Sequence, residues 1–357
     1  MFNRKTIRRN ASMTLALAFG LTLAGCGGAG SASDQANASA AGTTAAPDKA
    51  AAPAADNKLV VYTAGPEGLA NKLIEGYEAQ SGVDVEVFQG TTGKILARME
   101  AEKSNPAADV VILASLPSAR GLKQDGLTLP YPEAKNADKL NPDWSDEEGG
   151  YFSTSASALG IAYNTNLVKT PPASWADLSK PEYRDLVNIP DPSLSGSALD
   201  FMTGYLSAEG DEGWKLFEDY KNNGAVVAGA NNEALDPVVT GAKGIVAAAV
   251  DYMTYSAKAK GEPIDIVYPE EGTVISPRPA VILKSTHRET NAKAFIDYLL
   301  SDEAQKLVAD ASLLPGRTDI QAANRANLDE IPLLDLDEAW MDEHSAEVTE
   351  RFLKLFK

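Results

Sequence analysis

The chain has 357 residues, enough for two domains as a soft prior, and its 44% hydrophobic, 23% charged and 7% aromatic content is that of an ordinary globular protein. A net charge of −18 repels phosphate backbones and argues against a nucleic-acid partner. One cysteine excludes an intrachain disulfide framework and a Cys-based zinc site, and two histidines, His287 and His344, supply neither an HExxH pair nor a convincing Ser-His-Asp triad.

Residues 1–25 read as an export signal: Arg4, Lys5, Arg8 and Arg9 form a basic start, and Met13 to Leu23 a short apolar run below the roughly 18 residues a membrane span needs. Leu23-Ala24-Gly25-Cys26 then resembles a bacterial lipobox, which makes Cys26 the expected lipidation site. Loss of 1–25 takes the net charge to about −22. Residues 26–57, mostly Ala, Gly, Ser, Thr, Asp and Pro, read as a disordered tether with a reach on the order of 30 Å. The expected location is outside the cytoplasm, in the periplasm or on the outer face of the cytoplasmic membrane, held there by the lipid.

From Lys58 strands and helices alternate. Leu59–Tyr62 is a short apolar strand, and Pro66 suits the start of a helix carried by Leu69, Leu73 and Tyr77. Val83–Phe88 alternates as a strand, a helix with Ile95, Leu96 and Met99 follows Gly90–Gly93, and Asp109–Leu113 is a buried strand. This β-loop-α repetition predicts an α/β fold with a mixed, mostly parallel sheet flanked by helices, and ligands at the carboxyl ends of the strands. Ala156–Asn164 and the stretch from Ile264 to Ile282 read as two crossings between lobes. Helical patterns lie between them, and two amphipathic helices (291–301 and 302–311) and a helical C-terminus follow. The predicted organisation is lobe 1 over 58–160, lobe 2 over 161–275, and 276–357 partly returning to lobe 1.

Four loops of small residues stand at strand ends or helix starts: Tyr62–Gly65, Gly90–Lys94, Ser153–Ser157 and Asp191–Ser197. Glycine admits backbone N–H groups to a ligand, hydroxyls donate, and a helix N-terminus adds about half a positive charge, so the loops suit an anion without any arginine. Taken singly, each is better explained as an N-cap; it is the pair on different lobes, Thr91/Thr92 and Ser195/Ser197, that favours an anion. Gly90–Lys94 is not a P-loop, because the Walker spacing fails. The candidate ligand-binding residues are Ala64, Gly65, Thr91, Thr92 and Ser115 from the first part of the chain. Ser155, Ser157, Ser195, Gly196 and Ser197 follow. Asp251 and Tyr252, after the apolar run 244–249, and Glu271 on the second crossing complete the set. The acids between Asp329 and Glu343 read as a solvated surface.

Several blocks carry a family likeness: VYTAGPEGL, FQGTTGKILARMEAEKSNPAADVVILAS, SASALGIAYNT, DPSLSGSA, AKAKGEPIDIVYPEEGTVISPRPAVILK and FIDYLLSDEAQKLVAD. From about Leu59 to Ile320 the chain resembles the class II substrate-binding lipoproteins of ABC importers, in the subgroup that binds ferric ion, hexose phosphates or 2-aminoethylphosphonate. The resemblance implies a two-lobed type II periplasmic binding fold hinged at two crossing strands, an ABC permease as partner, no enzymatic role, no cofactor, no resident metal and a monomer. Ferric-binding relatives use a tyrosine pair, a His and a Glu. Here Asp251-Tyr252, Pro66 and Ala114-Ser115 stand at those places. By resemblance, Thr91, Thr92, Ser155, Ser157, Ser195, Gly196, Ser197 and Tyr252 would hold a phosphoryl or phosphonyl group, and Asp251 and Glu271 would read the rest of a small anionic solute. The alternatives are a ferric-iron receptor and an exported phosphoester hydrolase, the latter weakened because Ser195 lacks a GxSxG elbow and a nearby His.

Overall fold

Strand β1 (Lys58–Thr63) lies between two parallel neighbours, β2 (Asp84–Gln89) and β3 (Val110–Ile112), in a computed structural model that describes residues 57–357. The helices α1 (Glu67–Ser81), α2 (Thr92–Ala101) and α3 (Leu116–Gln124) follow these three strands in turn. Side chains that accept from the first turn cap two of them, Thr91 for α2 and Ser115 for α3, at about 1 kcal/mol each. Cys26, the export segment 1–25 and the tether, up to its last residue, lie outside the described residues.

Strand β4 (Phe152–Asn164) is the longest and is almost wholly buried. Its first half pairs antiparallel with β9 (Ile275–Ile282), which in turn pairs with β3; its second half pairs with β7 (Ile245–Val250) and β8 (Ile264–Val267). β4 therefore runs out of one sheet into the other, and β8 and β9 bring the chain back. The second sheet is completed by β5 (Val187–Ile189) and β6 (Val226–Val227), parallel to each other, with β5 parallel to β7. The helices α4 (Gly196–Glu209), α5 (Trp214–Asn222), α6 (Asn231–Val239) and α7 (Asp251–Ala259) belong to this part of the chain.

Each lobe has its own apolar core. In lobe 1, Leu59, Val61, Leu69, Tyr77 and Phe152 pack with Phe295 and Ile296 of α8 (Glu289–Leu299) and Val308 of α9 (Asp302–Asp310). In lobe 2, Trp175, Phe201, Phe217 and Tyr220 pack with Val348 and Phe352 of α10 (Glu338–Leu355). α10 also reaches lobe 1, where Arg120 of α3 bonds Glu338 at 2.7 Å and approaches Asp342 at 3.7 Å. Glu338 is exposed as expected, whereas Asp342 is largely covered, and through Arg120 the pair links α10 to α3. Strand β10 (Leu314–Pro315) adds to β4 opposite Ser155 and Ala156. Among the described residues no helix is long and apolar enough to cross a membrane.

The segment Ser153–Ser157, expected as a loop, is the first half of β4. Its residues sit between β9 on one side and β10 on the other, whose backbones satisfy both of its edges.

Candidate functional site

Five helices begin at one cleft between the lobes. Pro66 and Glu67 start α1, Thr91 and Thr92 start α2, Ser195 and Gly196 start α4, Ala230 and Asn231 start α6, and Tyr252 is the second residue of α7; all line a space of about 350 Å³. Their unpaired N–H groups and aligned dipoles make both walls electropositive without spending a charged side chain. Ala64, Gly65, Gln89, Lys94, Asn232 and Met253 line the same space.

The hydroxyls on the lobe 2 wall are preset. Ser195 Oγ donates to Asn231 Oδ1, Asn231 Nδ2 donates to Ser197 Oγ, and Ser197 Oγ lies on Ser195 Oγ, each at 3.0 Å. With Ser197 donating to Ser195, the three form a closed ring in which every hydroxyl proton is used. Ser195 also caps α4 by accepting from Ala198 N at 3.1 Å. The ring fixes the α4 and α6 starts against each other and leaves backbone N–H groups to face a ligand. On the opposite wall Thr92 Oγ1 accepts from Ala114 N at 2.9 Å.

At the floor stands Arg278, on β9, 2% exposed. One terminal nitrogen donates to Ser157 Oγ at 2.5 Å, and the Tyr252 ring lies 5.1 Å below the guanidinium. Its Nε is buried without a partner, and no carboxylate lies within ion-pair distance of it among the described residues. Burial pushes the guanidinium below its ordinary pKa, yet an arginine stays protonated in a protein. A buried, unpaired cation is costly, and an anion in the cleft compensates it. The expectation of a cradle that needs no arginine is thus corrected. The signal was present in the sequence: a charged residue between Pro277 and Pro279 inside an otherwise apolar crossing strand.

Of the residues expected to hold the ligand, Ala64, Gly65, Thr91, Thr92, Ser195, Gly196, Ser197 and Tyr252 come together at the cleft. Five do not line it. Ser157 is one shell back and holds Arg278, and Ser155 faces a small cavity of about 30 Å³ that Arg278 also lines. Ser115 caps α3 and donates to Asp200 at 2.7 Å. Glu271 accepts from Trp175 N at 2.6 Å and so fixes a lobe 2 loop. Asp251 is fully buried and accepts from Arg325, Tyr268 and the backbone of Ala158. Burial raises its carboxyl, and the Arg325 guanidinium opposes the rise. Gln89, Lys94, Asn231, Asn232 and Arg278 were missed, because an amide or a cation on its own carries no motif. Neither histidine lines the cleft.

Residues 105–344 match the family described as bacterial extracellular solute-binding protein. The chain belongs to that family. This solute-binding protein is 28% identical over 264 residues to an uncharacterized protein of Haemophilus influenzae, covering 71% of this chain and 75% of that one. It is 24% identical over 262 residues to a putative 2-aminoethylphosphonate-binding periplasmic protein of Salmonella typhimurium, covering 69% and 73%. Its fold is that of the periplasmic binding protein AfuA from Actinobacillus pleuropneumoniae, solved with exogenous fructose-6-phosphate bound. The TM-score is 0.77 at 23% identity, over 84% of this chain and 98% of that one. The two-lobed type II binding fold expected from the sequence is therefore the fold observed.

Proposed function

We propose that this solute-binding protein, the receptor component of an ABC importer, captures a small phosphate ester or phosphonate between its lobes. The observation that carries the reading is Arg278: a buried guanidinium with no carboxylate partner, at the floor of a cleft walled by helix N-termini from both lobes. A phosphoryl group offers two or three oxygens to such a ring of donors, and bidentate pairing to a guanidinium is the strong form of that contact.

The rest of the ligand meets Gln89, Asn231, Asn232 and the single lining carboxylate, Glu67. Amides suit hydroxyls, which both donate and accept, better than an ammonium group, which only donates. A phosphorylated polyol fits this wall better than an aminophosphonate. A ferric ion fits poorly, since a hard cation wants several anionic oxygens and this cleft presents Arg278, Lys94 and five positive helix ends. The related proteins support the reading, one named for 2-aminoethylphosphonate and one solved with a hexose phosphate. Membrane attachment through Cys26, a monomeric state and a purely non-enzymatic role belong to the same proposal.

Thermal melting with a panel of ligands tests it. Hexose phosphates and 2-aminoethylphosphonate raise the melting temperature and ferric citrate does not; Arg278→Gln weakens the phosphate ester by at least about 100-fold, the loss of a charge-assisted bidentate contact. Stabilisation by ferric citrate alone, or an unchanged affinity in Arg278→Gln, overturns the reading.

A further inference from the structure

Away from the ligand-facing walls, one buried carboxylate joins both lobes. Asp200 on α4 is 1% exposed. Its Oδ1 accepts from Ser115 Oγ on lobe 1 at 2.7 Å, and its Oδ2 accepts from Ser276 Oγ on crossing strand β9 at 2.8 Å. A single carboxyl therefore holds α4 of lobe 2 against the start of α3 and the hinge strand. Ser276 Oγ has a second acceptor, the Ala114 carbonyl at 3.4 Å. The cluster is thus satisfied in two protonation states. Ionised, Asp200 takes both serine protons; protonated, it donates to Ser276, whose own proton turns to Ala114 O.

The charged groups around it are Arg120 on α3, Arg278 on β9, and Glu338 and Asp342 on α10, which reach it through Arg120. Neither arginine pairs with Asp200 directly: Arg120 is held by the two α10 acids and Arg278 by Ser157. Burial raises the Asp200 carboxyl to about 7, against the opposing pull of the two serines and of Arg120.

We propose that Asp200 is a proton-operated latch between the lobes, closed when the carboxyl is protonated and loosened when it ionises. It rests on the lobes parting to admit solute, not on which solute enters. The sign follows from burial. In the closed arrangement the carboxyl is dry and holds its proton; separation wets it and returns it toward the ordinary carboxylate value. The closed form thus binds the proton more tightly, so closure is favoured below pH about 7 and weakens as pH rises through it. One coupled proton changes the closed-to-open ratio by up to about tenfold per pH unit between the ordinary carboxylate range and that point, and the dependence levels off above it.

The test uses ligand-free protein, so that its failure is distinct from failure of the anion reading. Small-angle scattering from pH 5 to 8.5 reads compaction, and carbon NMR reads the Asp200 carboxyl. The expected result is a compact form in acid that expands with a midpoint near 7. Asp200→Asn, an uncharged mimic of the protonated carboxyl, abolishes the expansion. Ser276→Ala and Ser115→Ala each remove a donor to the ionised form and move the midpoint to higher pH. These two keep the test open should Asp200→Asn not fold. The same pH transition in Asp200→Asn, no transition in the wild type, midpoints unmoved by both serine variants, or a carboxyl titrating near 4 overturns the proposal.

Discussion

A Cβ built on Gly93 would stand 2.2 Å from the Ser193 carbonyl oxygen, and one on Gly196 would stand 2.4 Å from Ala114 O and 2.7 Å from Thr92 Oγ1. Both glycines sit in the first turns of helices, α2 in lobe 1 and α4 in lobe 2, where the opposite lobe's backbone comes closest. Alanine is the better helix former by about 1 kcal/mol. Gly93→Ala therefore strengthens its own helix while wedging the lobes apart. The expected outcome is at least about tenfold weaker binding of a phosphate ester by calorimetry, with an undiminished melting temperature in the absence of ligand. Gly121→Ala, on α3 with nothing within 4 Å of the new methyl, is the control: it gains the helix stabilisation alone, so its melting temperature does not fall and its affinity is unchanged. Equal affinities for Gly93→Ala and wild type would show that the contact is incidental to closure.

At the level of elements, the junction of β7 and α7 is held by a buried ion pair in addition to apolar packing of Val250 and Met253. Asp251, at the start of α7, binds Arg325 of the C-terminal segment, the Tyr268 hydroxyl and the Ala158 amide of β4. Removing one partner leaves a buried charge uncompensated, at about 3–5 kcal/mol. Arg325→Met is expected to lower the denaturation free energy by that amount in urea titrations, while weakening ligand far less than Arg278→Gln does. A larger effect on ligand than on stability would place Arg325 in the binding machinery instead. The same region shows what could be read from the sequence. β1 was legible as a short apolar run, β2 from its alternation, although only Val85 of its apolar side chains is fully buried, and α1 from helical spacing that buries Leu69, Leu73 and Tyr77. The crossing strand was legible from Ala156 on, whereas Ser153–Ser155 read as loop. Nothing in a run of small polar residues announces that two neighbouring strands will cover both its edges. The helix starts at Thr91 and Ser195 were legible as caps that also suit an anion. Asp251 and Glu271 were misplaced because a carboxylate at a strand end serves a ligand or a structural partner equally well, and only Arg325 and Trp175, distant in sequence, decide between them.

Over the whole molecule, the charge distribution opposes the site. The chain carries −18, while the cleft is positive through Arg278, Lys94 and helix ends. An approaching anion is repelled at long range and attracted only within a few ångströms, where screening by salt is weakest. Association rates for a phosphate monoester, followed by stopped-flow tryptophan fluorescence, are therefore expected to rise with ionic strength from about 20 to 300 mM, the reverse of ordinary steering. A rate that falls with salt would mean that the local field reaches well beyond the cleft mouth.

The place of β9 between β3 and β4 in the sheet has a consequence for biogenesis. Until Ile275–Ile282 has been synthesised, β3 has a bare edge and the first half of β4 has nothing to pair with on that side. The earlier half of the molecule must wait, aggregation-prone, for a segment more than 150 residues downstream of β3, while the inserted half has every strand of its own sheet already in hand. Pairing of strands should run from the middle of the polypeptide outward, and a ribosomal or translocon stall before residue 282 leaves one half with its sheet complete, though still lacking the α10 side chains of its core, and the other with its sheet open.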